Sequence, residues 1–262
     1  MSRLHVETPL QRSAPLSDLL NHEVLLKLEN IQPSGSFKLR GMGYHCQKEL
    51  ERGCKHLISA SGGNAGLAVT LSGKLLNTPV TVFVPSSTPQ LVRERIVQLG
   101  GHVTVHGDNF GQANDRAVEE SKKPGCSYIH PYLHPETCTM IDEMAIQLEG
   151  RRPGCLLVSV GGGGLLRGLL VGLERHGWLQ VPVIALETHG ADCMHQAVKA
   201  GKVVELPAIT SIAVTLGAKA VFPDLLEVLP KFNVHNRVIT DAQALEACLR
   251  FAECVMDADY GP

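Results

Sequence analysis

The sequence predicts an α/β fold built on parallel sheets, and three observations carry that expectation. Apolar, β-rich runs alternate with helical patterns along most of the 262 residues. Within that alternation each strand-like run is followed by a helix-like one, the order that covers a parallel sheet on both faces. Two glycine-rich turns, Ser61–Gly66 and Gly161–Gly164, each follow a strand-like run and open a helix-like one.

In chain order, strands are expected at Val24–Leu28, His56–Ala60, Val80–Val84, His102–His106, Leu156–Val160 and Val183–Leu186. Helices are expected between and after them, at Phe37–Glu51, Asn64–Leu76, Gln90–Leu99, Phe110–Ser121, Glu136–Leu148 and Gly164–Arg175. A strand-then-helix order of this kind needs crossover connections, which place helices over both faces of a parallel sheet. The segment Lys122–Cys126 and the Pro/His-rich stretch His130–Pro135 suggest a crossing between two lobes. Beyond Pro207 the pattern weakens, although a helix is expected over Asp241–Met256 with Asp241 as its N-cap acceptor. No strand-like run follows that helix.

Composition narrows the function classes. A hydrophobic content of 44%, a charged content of 19% and a net charge of −2 describe an ordinary globular chain. No basic excess points to nucleic acid or to an anionic membrane. The apolar runs are interrupted by glycine or Arg167, short of the ~18 residues a membrane span needs. The first residues lack the apolar core of a secretory signal. Eight cysteines without a Cys-x-x-Cys pair read as free thiols, and the expected compartment is the cytoplasm.

Three motifs bear chemistry. In Pro33-Ser-Gly-Ser-Phe-Lys-Leu-Arg-Gly41, Lys38 lies at the start of a helix after a Ser/Gly turn. Exposed N–H groups and the helix dipole disfavour an added cation there, which lowers the amine pKa and frees it to attack an aldehyde. In Ser61-Gly-Gly-Asn-Ala-Gly66, glycines allow close backbone approach, and Asn64 offers an amide to a carboxylate or phenolic oxygen. In Gly161-Gly-Gly-Gly-Leu165, several N–H groups converge as a phosphate would require. A dinucleotide fingerprint fails in every register of this run, and no Walker lysine follows, so a small phosphorylated cofactor is expected. His130 with His134, and His189 with Cys193 and His195, have spacings that metal pairs can show. Without further ligands they read as structural.

In this order and spacing, the three motifs resemble those of fold-type II pyridoxal-phosphate (PLP) enzymes, with the serine dehydratase branch as the nearest match. The resemblance runs from about residue 8 to residue 256 and includes Glu187–Ala191 and Ser211–Lys219. Ala65 differs from the histidine usual in serine racemases and biosynthetic threonine dehydratases. Leu39 departs from the Lys-Asp-Arg of threonine synthases, and Gly62 leans toward the dehydratase-like proteins.

The resemblance implies two parallel-sheet α/β domains with PLP between them. A large PLP-binding domain would take residues 1–40 and 132–262, and a small substrate-loop domain residues 41–131. It implies that Lys38 holds PLP as a Schiff base and then acts as general acid and base, beside Phe37 packed on the ring. Ser61, Gly62, Asn64 and Ala65 would grip the substrate carboxylate, with Asn64 also reaching the cofactor. Gly161, Gly162, Gly163, Gly164 and Leu165 would hold the phosphate. Carbonyls of Gly161, Ala191, Leu216 and Ala218 would match a monovalent-cation site, K+ among the candidates, with Glu187 orienting that region. The implied reaction is β-elimination from L-serine to pyruvate, or from L-threonine to 2-oxobutyrate, with release of ammonia, in a homodimer serving amino-acid catabolism and gluconeogenesis. Family members continue past the position of Pro262, with a residue that meets the pyridine nitrogen. A truncated, weakly active or inactive PLP-binding relative is therefore the alternative expectation.

Overall fold

The computed structural model describes residues 2–130 and 139–253. They divide into two compact units, one of residues 2–8 and 29–130, the other of residues 9–28 and 139–253. Residues 29–40, Lys38 among them, pack with the first unit.

The second unit begins the chain's regular structure. Strand β1 (Leu10–Arg12) leads through helix α1 (Ala14–Leu20) to strand β2 (Leu25–Lys27), and β1 and β2 pair antiparallel. The expected strand at 24–28 therefore exists but stands apart from the parallel sheets. Lys27 at its end is buried against Glu143, Nζ to Oε2 2.6 Å.

The first unit holds helix α2 (Lys38–Glu51) and then β3 (His56–Ala60), α3 (Asn64–Leu75), β4 (Val80–Val84), α4 (Gln90–Gln98), β5 (His102–Val105), α5 (Phe110–Glu120) and β6 (Cys126–Tyr128). The four strands form a parallel sheet in the order β5-β4-β3-β6. Side chains alternate across its faces. Leu57, Val80, Val82 and Val84 meet Met42 and Cys46 of α2 and Ala65, Ala68 and Val69 of α3. Ile58, Ala60 and Phe83 face Ala113 and Ala117 of α5. Covering both faces explains why β3 and β4 are buried along nearly their whole length. Lys122–Cys126 is the turn that delivers β6 to this sheet, Cys126 N donating to Lys123 O at 3.1 Å. It is thus a connection within the unit, not a crossing between lobes. The stretch 131–135 lies outside the described residues.

In the second unit, α6 (Thr139–Gln147) precedes β7 (Leu156–Ser159), α7 (Gly164–Arg175), β8 (Val183–Thr188) and α8 (Cys193–Ala200). A short helix α9 (Pro223–Val228), a strand β9 (Val234–Ile239) and helix α10 (Asp241–Phe251) follow. Strands β7, β8 and β9 form a parallel sheet in that order. Strand β9 escaped the sequence reading because its pattern, Val-His-Asn-Arg-Val-Ile, mixes polar residues into a short run.

The cap of α10 corrects a second expectation. Thr240, not Asp241, is the N-cap: its hydroxyl accepts from Gln243 N at 3.1 Å, while Gln243 Oε1 accepts from Thr240 N at 2.9 Å. This reciprocal capping box leaves the Asp241 carboxylate free to accept from Ser211 Oγ at 2.6 Å and Ile212 N at 3.1 Å. Among its described residues α10 buries no side chain, so its stability rests heavily on the cap. Thr240→Ala is expected to cost about 1 kcal/mol and to fray α10 first. Faster amide exchange over 241–248, with β8 unchanged, is the measurement that checks it.

Candidate active site

In the first unit, the chain turns through Ser34 and Gly35 into Phe37, the N-cap of α2, and Lys38 is the first helical residue. Half-buried, its amino group lies 5.4 Å from the centroid of the Phe37 ring. Burial lowers its pKa from 10.5 to about 8. The sequence argument rested on the helix terminus and its dipole; the structure adds desolvation, which disfavours the ammonium directly.

Two residues on, Arg40 is fully buried and fixes the entry to α2. Its Nε and Nη2 grip Glu29 Oε2 and Oε1 at 2.8 and 2.7 Å, and Nη2 reaches Thr8 Oγ1 at 3.4 Å. A two-pronged charged pair is among the strongest side-chain interactions available. Sequence reasoning gave Arg40 no role of its own, because nothing local marks Glu29 or Thr8 as its partners.

The loop Ser61–Gly63 runs from β3 into α3 at the carboxyl end of the sheet, where ligands of open α/β sheets bind. Ser61 Oγ accepts from Gly63 N at 3.3 Å. Asn64, the first residue of α3, is exposed. The Ala65 side chain is buried in the core, which leaves its backbone as the part able to meet a ligand. Lys38, Phe37, Ser61, Gly62, Asn64 and Ala65 all belong to this unit.

In the second unit, Gly161–Gly163 link β7 to α7. Gly163 is the N-cap at φ +89°, a left-handed backbone that side chains disfavour, and it supplies no side-chain cap. The first N–H groups of α7 have no partner within the helix, as at any helix start, and no capping side chain covers them. A Cβ on Gly161 would lie 2.8 Å from the Leu216 carbonyl oxygen, so only glycine fits that approach. Within its own unit, this bare, positively polarised helix start fits the phosphate of PLP, and in the first unit the half-buried lysine fits its aldehyde.

Gly161, Ala191, Leu216 and Ala218 lie in the same unit. The structure sets Gly161 against Leu216, and the Cys193 thiol, two residues beyond Ala191, donates to Gly161 O at 3.5 Å. Leu216 O also accepts from Ala218 N at 2.7 Å. Glu187 is buried at the end of β8 and accepts from Met194 N, His195 N and Asn236 Nδ2, each at 2.8 Å. Burial raises its pKa, and these three donors oppose the rise. It therefore caps α8 and ties β8 to β9. His195 Nδ1 bonds Asn236 Oδ1 at 2.8 Å in the same cluster. His134 lies outside the described residues.

Comparison with known proteins agrees with this chemistry. Residues 1–256 match the model of the family described as pyridoxal-phosphate dependent enzyme. The chain is 43% identical to the human serine dehydratase-like protein, over 93% of this chain and 75% of that protein. It is 41% identical to the mouse L-serine dehydratase/L-threonine deaminase, over 95% and 78% respectively. Among solved structures, a fungal L-serine ammonia-lyase from Rhizomucor miehei superposes with a TM-score of 0.92 at 34% identity, covering 97% of this chain and 82% of that one. With these relatives and the glycine-rich helix start in view, the chain belongs to the pyridoxal-phosphate dependent enzymes, in their serine dehydratase-like branch.

Proposed function

We propose that the protein is a PLP-dependent ammonia-lyase that converts L-serine to pyruvate and L-threonine to 2-oxobutyrate. The observation that carries this reading is Lys38. It is a half-buried lysine with a pKa near 8 at the start of α2, in a chain 41% identical to an L-serine dehydratase/L-threonine deaminase. PLP, when bound, draws electrons from the substrate α-carbon so that the α-proton and then the β-hydroxyl can leave.

The chain's own residues do the rest. Lys38 Nζ would hold the cofactor at its aldehyde and take the α-proton from the substrate, a task suited to an amine titrating near working pH. Phe37 would flank the ring. Backbone N–H groups of the 61–65 loop, with Ser61 Oγ and the Asn64 amide, orient the substrate carboxylate. N–H groups of Gly162 to Leu165 at the α7 start would hold the phosphate, and Gly161 brings that turn against Leu216. A K+ ion on the carbonyls of Gly161, Ala191, Leu216 and Ala218 would brace the phosphate turn. The same reading carries a cytoplasmic homodimer acting in amino-acid breakdown toward gluconeogenesis. Among the described residues, six cysteines are free thiols and no helix is long and apolar enough to cross a membrane.

The test is direct. Purified protein supplied with PLP should release pyruvate and ammonia from L-serine, and 2-oxobutyrate from L-threonine. PLP uptake without keto acid from either substrate would leave a cofactor-binding relative instead of a lyase.

Cofactor capture also has a signed pH dependence. The attacking species is the neutral amine, so below its pKa of about 8 the capture rate should rise about tenfold per pH unit and level off above it. Stopped-flow absorbance between pH 6.5 and 9.5 reads this out. A rate still climbing steeply at pH 9.5 would show that Lys38 titrates like an exposed lysine.

A further inference from the structure

Strands β3 and β4 are parallel neighbours, so the loops at their carboxyl ends are neighbours too. The first is the Ser61–Gly63 loop; the second is Pro85-Ser-Ser-Thr-Pro89. Their meeting point is Gly62 against Thr88. A Cβ placed on Gly62 would lie 2.6 Å from both Cγ2 and Oγ1 of Thr88, and 3.2 Å from its Cβ. The Thr88 side chain therefore fills the volume that a side chain at position 62 would occupy.

Thr88 is a rigid filler. It is 7% exposed, its β-branched side chain has few rotamers, and Pro89 after it restricts its backbone. Its N–H donates to Pro85 O at 3.0 Å, and the neighbouring Ser86 N donates to Gly107 O at 2.8 Å. Ser86 also accepts from Arg93 through its carbonyl and bonds Asp108 Oδ1 at 3.1 Å through its hydroxyl. The second loop is thus pinned, and Thr88 presents a fixed wall to the Gly62 backbone.

We propose that Thr88 is a positioning residue for the substrate loop, acting through Gly62 to hold the N–H groups that grip the amino-acid carboxylate. This rests on the dehydratase reading above. Because Thr88 touches no reacting atom, its loss weakens a grip shared by ground and transition states, and KM moves more than kcat. The contact is one of shape, so valine, with the same branching, replaces threonine.

The experiment measures kcat and KM for L-serine on PLP-loaded enzyme, with cofactor absorbance and a thermal melt as checks on folding. Thr88→Ala should raise KM about tenfold with kcat within about twofold, and Thr88→Val should stay within about twofold of wild type in both. An unchanged KM in Thr88→Ala, or a Thr88→Val enzyme as impaired as Thr88→Ala, overturns the positioning role. A wild-type enzyme that makes no keto acid overturns the dehydratase reading itself, and this claim with it; an active enzyme indifferent to Thr88 overturns only this claim.

Discussion

Lys38→Ala is expected to abolish keto-acid release from L-serine, by at least about 1,000-fold in kcat, while the protein stays folded. The expected loss is large because the proposed function gives one amine two tasks, anchoring PLP and moving the α-proton. General acid–base transfer alone is worth about 10² to 10⁴ in rate, and loss of the anchor adds to it. Stability should not fall, because the variant removes a cation that burial disfavours, as its lowered pKa records. Pyruvate formation followed with a coupled assay, next to a thermal melt of the same sample, checks both halves. Residual activity within tenfold of wild type would remove Lys38 from the chemistry.

The second large effect is on stability. Arg40→Leu should destabilise the first unit by about 3–5 kcal/mol, because it leaves the Glu29 carboxylate desolvated without its partner. Thr8 loses its contact with Arg40 in the same change. For a chain of this size that lowers the Tm by roughly 6–20 °C. Replacing both members, Glu29→Met with Arg40→Leu, should restore much of the loss, since no buried charge is then left alone. The four Tm values of that cycle, read by circular dichroism, are the check. A shift under about 1 kcal/mol in Arg40→Leu would mean that the pair adds little to the folded state. Because Arg40 lies two residues after Lys38 on α2, the single variant should also slow cofactor capture.

Much of this protein is legible along the chain. The runs at 56–60, 80–84, 156–160 and 183–186 became β3, β4, β7 and β8 within two residues at each end, and each strand–helix alternation gave a parallel pairing. Both glycine turns open helices, α3 and α7, with Asn64 and Gly164 as their first residues. Strands covered on both faces leave a strong local signature, and so do turns that require glycine.

The misses share a cause. Strands β6 and β1 are three residues long, too short for any period to show. Strand β9 carries Asn236, whose amide is spent on Glu187 across the sheet, so its polar residue reads as a break until β8 is beside it. Asp241 looked like a cap because it opens a helical run, but Ser211 claims its carboxylate from 30 residues away and Thr240 takes the cap.

Read alone, the chain yields the α/β class and the succession of strands and helices, which follow from periodicity and turn geometry within about a dozen residues, together with three motifs that resemble the family's. Packing sets which groups meet: Arg40 with Glu29, Asp241 with Ser211, and Thr88 beneath Gly62. Each pair joins segments separated along the chain, and partner choice depends on how the segments pack. No local pattern encodes that.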